Sequence, residues 1–181
     1  MERLPDVIET ERIRLRPFRL QDVDDVLSYA SDPEWGRYLP VPQPYGKEDA
    51  ERFIARQLLS DREADVAWAV EYEGDVVGGI NIALDFDNRL GELGYSIARD
   101  HWGKGLATEA AKAVIDAAFT AYEELNRIRA MADARNVASQ RVMEKVGMER
   151  EGLLRQNRMT RGEFIDEAWY GLLRTGWEEQ Q

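Results

Sequence analysis

The stretch His101–Ala110, H-W-G-K-G-L-A-T-E-A, decides how this 181-residue chain is read. Two glycines, Gly103 and Gly105, lead into Leu106 to Tyr122, an alanine-rich run of helix formers. A glycine-rich turn that opens a helix aims successive backbone N–H groups at whatever lies in front, with the positive end of the helix dipole behind them. The turn is therefore either an anion cradle or simply a tight connection. A dinucleotide-binding turn would need a small third residue where Thr108 stands. The spacing of a Walker phosphate loop is absent as well.

Working outward, Leu90 to Ala98 alternates: Leu93, Tyr95 and Ile97 share one face, and Glu92, Gly94 and Ser96 the other. Beyond the helix, Arg127 to Ala134 reads as another strand, so a helix joins two strands and predicts a parallel crossover. Val66 to Tyr72 and Val76 to Leu84, joined by E-G-D, predict a hairpin. Arg12 to Phe18 predicts a strand, and Leu20 to Ala30 and Lys47 to Asp61 predict helices. Asn136 is placed to cap a helix that runs to about Val146, where Gly147 ends it. Met148 to Met159 and Phe164 to Arg174 close the chain as strands joined at Gly162. The sum is an α+β fold in one domain, residues 1–181: a mixed, mostly antiparallel central sheet with one parallel strand pair, flanked by about four helices.

Composition narrows the function. Lys and Arg total 24 against 35 Asp and Glu, a formal net charge of -11, which opposes nucleic acid and anionic membrane as partners. There is no cysteine and one histidine, His101, so neither a disulfide framework nor an ordinary transition-metal site is expected. Met1 to Thr10 is too acidic for a secretory signal and no apolar run is long enough to span a bilayer, which predicts a soluble cytoplasmic protein, monomer or homodimer.

The run W-G-K-G-L-A-T-E-A, followed by N-V-A-S-Q-R-V-M-E-K-V-G-M at Asn136 to Met148, resembles the acetyl-CoA-binding core of the GNAT superfamily of N-acetyltransferases. More narrowly it is similar to the branch that acetylates N-terminal amines of ribosomal proteins, from E-T-E-R-I-R-L-R-P at Glu9 through to Trp177. The resemblance implies a sheet splayed at the parallel pair. It implies a diphosphate held by Trp102, Gly103, Lys104, Gly105, Leu106, Ala107 and Thr108, and a pantetheine arm contacting Ile97, Asn136 and Ser139. Two departures stand out: Trp102 replaces the Gln or Arg that usually opens the turn, and Met143 replaces a tyrosine that in many members protonates the leaving thiolate.

The implied reaction is direct attack of a primary amine on the thioester of acetyl-CoA, without a metal. An α-amino group has a pKa near 8 and needs modest help to lose its proton. Glu92, on the small polar face of its strand, is the candidate base. Ser139 is the candidate donor to the leaving sulfur, which suffices because a thiol pKa near 8.5 already makes its anion a tolerable leaving group. Glu109, in the helix's first turn, would repel a diphosphate if it pointed inward and is read as a dipole or capping residue. Asp166 and Tyr170 are expected on the acceptor side. The expected acceptor is a protein N-terminal amine. A polyamine or aminoglycoside, or a CoA-binding sensor that has lost turnover, are the alternatives.

Overall fold

The computed structural model describes residues 3–180. Its strands are β1 (Ile8–Glu9), β2 (Ile13–Arg16), β3 (Asp65–Tyr72), β4 (Asp75–Asp85), β5 (Leu90–Ile97), β6 (Arg127–Asp133), β7 (Glu149–Thr160) and β8 (Glu163–Leu173). The helices are α1 (Val23–Ala30), α2 (Lys47–Leu59), α3 (Leu106–Ala121), α4 (Val137–Lys145) and α5 (Arg174–Glu178). All eight strands join one sheet in the order β1-β2-β3-β4-β5-β6-β8-β7. Every neighbouring pair is antiparallel except β5 and β6. This is the expected α+β arrangement with its single crossover through α3.

The period-two pattern of the strands sorts the two faces. Trp68, Ile80, Ile82, Leu93 and Ile128, all nearly fully buried, lie on the face covered by α3 and α4. The hydroxyls of Tyr95 and Tyr170 on this face reach residues of α4. The opposite face carries Gly79, Glu92 and Ser96. There Phe18 lies over Gly79 and meets Phe53 of α2 edge-on at 5.2 Å, so α1 and α2 cover this side. Arg16, 5% exposed, donates to both carboxylate oxygens of the buried Asp22 at 2.9 Å and to Glu71, tying the turn before α1 to β2 and β3. Two hairpins turn through consecutive residues with positive φ, Glu73–Gly74 and Arg161–Gly162, the backbone that matches strand twist.

Three elements depart from the sequence reading. The pairing of Ile8 and Glu9 with β2 was not expected, since two residues carry no periodicity. The last strand stops at Leu173, and Arg174 starts a short fifth helix by donating to the carbonyls of Phe119, Tyr122 and Leu125. That helix stacks Trp177 on Phe119 at 5.2 Å and lets its indole N–H donate to Asp116 at 2.7 Å. No described helix is long and apolar enough to cross a membrane.

The feature that positions the site is a short pairing. β5 and β6 are in register only through Leu90↔Arg127, Gly91↔Ile128 and Glu92↔Arg129. Beyond Glu92 the strands part, β5 running to Ile97 and β6 to Asp133, and leave a V between them.

Candidate active site

The V exposes main-chain groups inside a sheet. Ala98 N–H bonds to Val77 on the β4 side, so by strand alternation the peptide groups of Ile97 and Tyr95 face the gap. The Ile97 carbonyl is taken by the Trp102 indole N–H at 2.7 Å, which leaves its N–H.

After Ile97 the chain passes a single turn of 3₁₀ helix (Arg99–His101) and enters the glycine turn. Gly103 and Gly105 have φ of +76° and +82°, a backbone that any Cβ would strain. The Trp102 N–H is bonded to the Arg99 carbonyl at 3.0 Å, so the run of unpaired amides starts one residue later, at Gly103. From Gly103 through Thr108 no amide N–H has an acceptor among the described residues. Leu106 contributes only its amide, because its side chain is in the core. Lys104 points its ammonium back toward His101 and the Tyr72 ring, and its carbonyl accepts from Arg12 at 2.8 Å. His101 packs edge-on against Tyr72 at 5.5 Å.

Glu109 turns away from these amides. It accepts from Thr10 at 2.6 Å and from the backbone and side chain of Arg12, so the turn before β2 is bolted to the first turn of α3. Burial alone would raise its carboxyl, but those hydrogen bonds and the Arg12 charge outweigh it and hold the group below the ordinary range. Beside this turn an open groove of about 450 Å³ is lined by Gly105, Thr108, Arg12, Lys112 and Lys145.

Glu92 sits where the V opens. Arg129, its register partner on β6, donates from Nε at 2.9 Å to the carboxylate oxygen Oε2, and its terminal nitrogen lies 2.8 Å from the same oxygen as an ion pair. The other oxygen, Oε1, has no partner among the described residues. Arg129 itself lies over the Trp169 ring at 5.0 Å. Sequence reasoning missed both supports. The alternation of Arg127 and Arg129 against Ile128 and Ala130 was the available signal, but nothing in it says which carboxylate the guanidinium meets.

At the other lip, α4 begins at Asn136, whose side-chain oxygen accepts from the Ser139 N–H at 3.1 Å as expected of an N-cap. The Ser139 hydroxyl stands 3.1 Å from the Tyr95 hydroxyl, which also donates to the Ser139 carbonyl at 2.9 Å. Tyr95 was read only as an apolar-face residue; a buried phenol needs a hydrogen-bond partner, and that requirement was the missed signal. Met143 is 1% exposed and has no proton to give.

One acceptor-side expectation, Tyr170, is corrected, and the other residue, Asp166, is held by the backbone. Tyr170 is 1% exposed, under α4, with its hydroxyl 3.1 Å from Glu144, so it is a core residue and not a wall of the acceptor side. Asp166 spends a carboxylate oxygen on the Gln156 N–H at 2.8 Å, holding a bulge in β7. The residues that do line a cavity at the far end of β6 are Arg37, Tyr38, Asp133, Arg135, Arg161 and Glu163, around about 300 Å³. Arg161 roofs it by donating to the carbonyls of Arg37, Leu39 and Val41, in the loop between α1 and α2. The loop between β4 and β5 lies at the closed end of the V, where the Arg89 carbonyl accepts from the Asn126 N–H.

Comparison with known proteins agrees with this geometry. The family model of an acetyltransferase (GNAT) domain matches residues 12–149. The uncharacterised N-acetyltransferase p20 of Bacillus licheniformis is 33% identical over 176 residues, covering 93% of this chain and 97% of that one. A crystal structure of a GNAT-family acetyltransferase from Bacillus anthracis superimposes with a TM-score of 0.83 at 31% identity, over 93% of this chain and 99% of that one. RimL, a ribosomal L7/L12 alpha-N-protein acetyltransferase in complex with coenzyme A, shares the fold with a TM-score of 0.79 at 16% identity, over 92% and 97% of the two chains. With unpaired amides at the head of α3, a parallel pair that parts after Glu92 and a family match across most of its length, this chain belongs to the GNAT family of N-acetyltransferases.

Proposed function

We propose that the protein moves the acetyl group of acetyl-CoA to the α-amine at a protein N-terminus. The observation that carries the cofactor part is the run of unpaired amides from Gly103 to Thr108. Each is a donor that needs an acceptor, and a diphosphate supplies several at once at a helix N-terminus. Lys145 adds positive charge along the adjoining groove, where Lys112 is paired with Asp116 and Arg12 with Glu109. The pantetheine arm would follow the V past the Ile97 N–H and the Asn136 side-chain nitrogen. The bound cosubstrate supplies an activated thioester carbon.

The chain's own residues do the rest. Glu92, with one oxygen fixed by Arg129 and the other unpartnered, is built to receive the amine's proton without leaving its place. The main-chain N–H of Tyr95 is available to the oxygen on which negative charge grows. Ser139 donates toward the leaving sulfur.

The cavity at the far end of β6 supports this choice of acceptor. It has three guanidiniums, Arg37, Arg135 and Arg161, against two carboxylates, Asp133 and Glu163, and Arg135 already pairs with both of these. A polyamine or aminoglycoside would bring cations to a site with no spare anion. A peptide brings backbone carbonyls and one α-amine. RimL, a fold neighbour, is a ribosomal L7/L12 alpha-N-protein acetyltransferase, an acceptor of this class.

The test is to mix the protein with acetyl-CoA and, separately, peptides with free N-termini, N-blocked lysine peptides, spermidine and an aminoglycoside, following free thiol and product mass. Acetylation confined to free N-termini is the expected result. Turnover of spermidine or the aminoglycoside without peptide acetylation would overturn the acceptor. In the same assay Glu92→Gln should lower kcat by about 10² to 10⁴. Tight acetyl-CoA binding with no turnover, in wild type as in Glu92→Gln, would instead mark a sensor.

A further inference from the structure

We infer that Tyr95 is a positioning residue for the leaving group: its phenol turns the Ser139 hydroxyl proton toward the sulfur of coenzyme A. The inference rests on the cofactor reading above and goes beyond it to a residue on the opposite strand.

α4 has a single hydroxyl. Between Val137 and Lys145 the side chains are apolar, amide or charged apart from Ser139, and Met143 lies in the core. The Ser139 N–H is consumed by Asn136, so the hydroxyl is the only proton this residue has to offer the gap. An unsupported serine hydroxyl rotates, and its proton goes to the best nearby acceptor. The Tyr95 oxygen, 3.1 Å away, is that acceptor whenever the phenol proton is on the Ser139 carbonyl at 2.9 Å. When the phenol instead donates to the serine oxygen, the serine proton is released toward the V.

The two arrangements use the same atoms and differ only in hydrogen positions. Charge growing on sulfur selects the second, because a chain of donors ending on an anion strengthens each link. Tyr95 can hold this role since it stands on β5 three residues past the last pair with β6, so its ring comes from one side of the gap and Ser139 from the other.

The protons balance without a net transfer along the chain. The carbon–sulfur bond breaks with its electron pair going to sulfur, a carbon–nitrogen bond forms, and the amine's proton goes to Glu92. Burial pushes the Tyr95 phenol up to about 12, partly offset by its bond to Ser139, whereas a thiol titrates near 8.5. Giving up the phenol proton would be uphill by about 3.5 pH units, so the pair stabilises a thiolate by hydrogen bonding and solvent reprotonates it.

The experiment reads the thiol rather than turnover. Coenzyme A is bound to wild type, Tyr95→Phe, Ser139→Ala and the double variant, with affinity checked by calorimetry, and thiolate ultraviolet absorbance is followed against pH. In wild type the bound thiol should titrate about one unit below the free thiol, a tenfold gain in thiolate. Either single substitution should remove most of that shift, and the double variant should match Ser139→Ala alone. Substituting 3-fluorotyrosine at position 95 keeps the ring and hydroxyl in place while sharpening the donor, and should lower the bound thiol further, which a packing role would not do. A Tyr95→Phe titration identical to wild type, additive effects of the two substitutions, or no response to fluorination would overturn the inference while leaving the acetyltransferase reading intact. Failure of wild type to bind coenzyme A would overturn both.

Discussion

Two helices start at the open end of the V, and their first turns are finished in opposite ways. α3 follows β5 with Gly105 at its cap, no capping side chain, and its leading amides unpaired. α4 follows β6 with Asn136 at its cap, and the cap satisfies the Ser139 amide. A helix start normally has orphan N–H groups that a Ser, Thr, Asp or Asn satisfies. Of the two helices at the open end of the V, the uncapped one is the one we propose meets the ligand. α4, content with its own cap, presents side chains instead: the hydroxyl of Ser139 and the nitrogen of Asn136.

The strongest way to break that contrast is to put an anion where α3 has none. Asp tolerates the positive φ of Gly105 better than most residues, so Gly105→Asp should fold. Its carboxylate would compete for the free amides and repel a diphosphate, and coenzyme A affinity should fall by about 100-fold or more in calorimetry. Gly105→Asn, equal in shape and neutral, should lose far less. Equal losses in the two variants would mean that backbone strain, not charge, closes the site.

The contrast is sharpened at α4 by separating the two ends of one side chain. Asn136→Ala removes the cap and should cost about 1 kcal/mol of stability in chemical denaturation. Asn136→Asp keeps the capping oxygen, trades the amide nitrogen for a second oxygen and adds a negative charge that suits a helix N-terminus, so its stability should stay near wild type. If that nitrogen touches the pantetheine arm, Asn136→Ala should lose about threefold to tenfold in coenzyme A affinity, and Asn136→Asp at least as much because of its added charge. A drop in affinity in Asn136→Ala as large as that of Gly105→Asp would place the ligand on α4 and sink the distinction.

The contrast was half legible in the sequence. Gly103 and Gly105 before an alanine-rich run announce an open helix start, and Asn136 three residues before Ser139 announces a capped one, because both signals are local. The parallel crossover was readable for the same reason, from a strand, a helix and a strand in sequence. What could not be read were contacts between residues far apart in the chain. Glu92 could be named from its strand alternation, but its holding by Arg129, 37 residues on, depends on register. Tyr95 and Ser139 meet only because the strands part after Glu92. Tyr170 failed in the other direction: alternation put it on the correct face of β8, but a face says nothing of what covers it, and α4 does. The fifth helix escaped because Arg174 finds its carbonyl partners on α3 and the segment after it.

The smallest effect concerns the carboxylate that α3 does carry. Glu109 is anionic in the first turn of the open helix and is kept out of the cradle by Thr10 and Arg12. Its folded-state carboxyl lies below the ordinary value of 4.5, so its contribution to stability is complete above that value and is lost as pH falls through the lower, folded one. Glu109→Gln should therefore unfold at lower denaturant than wild type at neutral pH, with the two midpoints converging as pH drops below 4.5. The same substitution removes a negative charge beside the amides and frees Arg12, so coenzyme A affinity at low salt should rise by about threefold and the gain should shrink as salt is added. Lower stability with higher affinity is a combination that a purely structural glutamate does not give. Loss of both would show that Arg12, once released, no longer braces Lys104, and that the shape of the turn matters more to the ligand than the nearby charge.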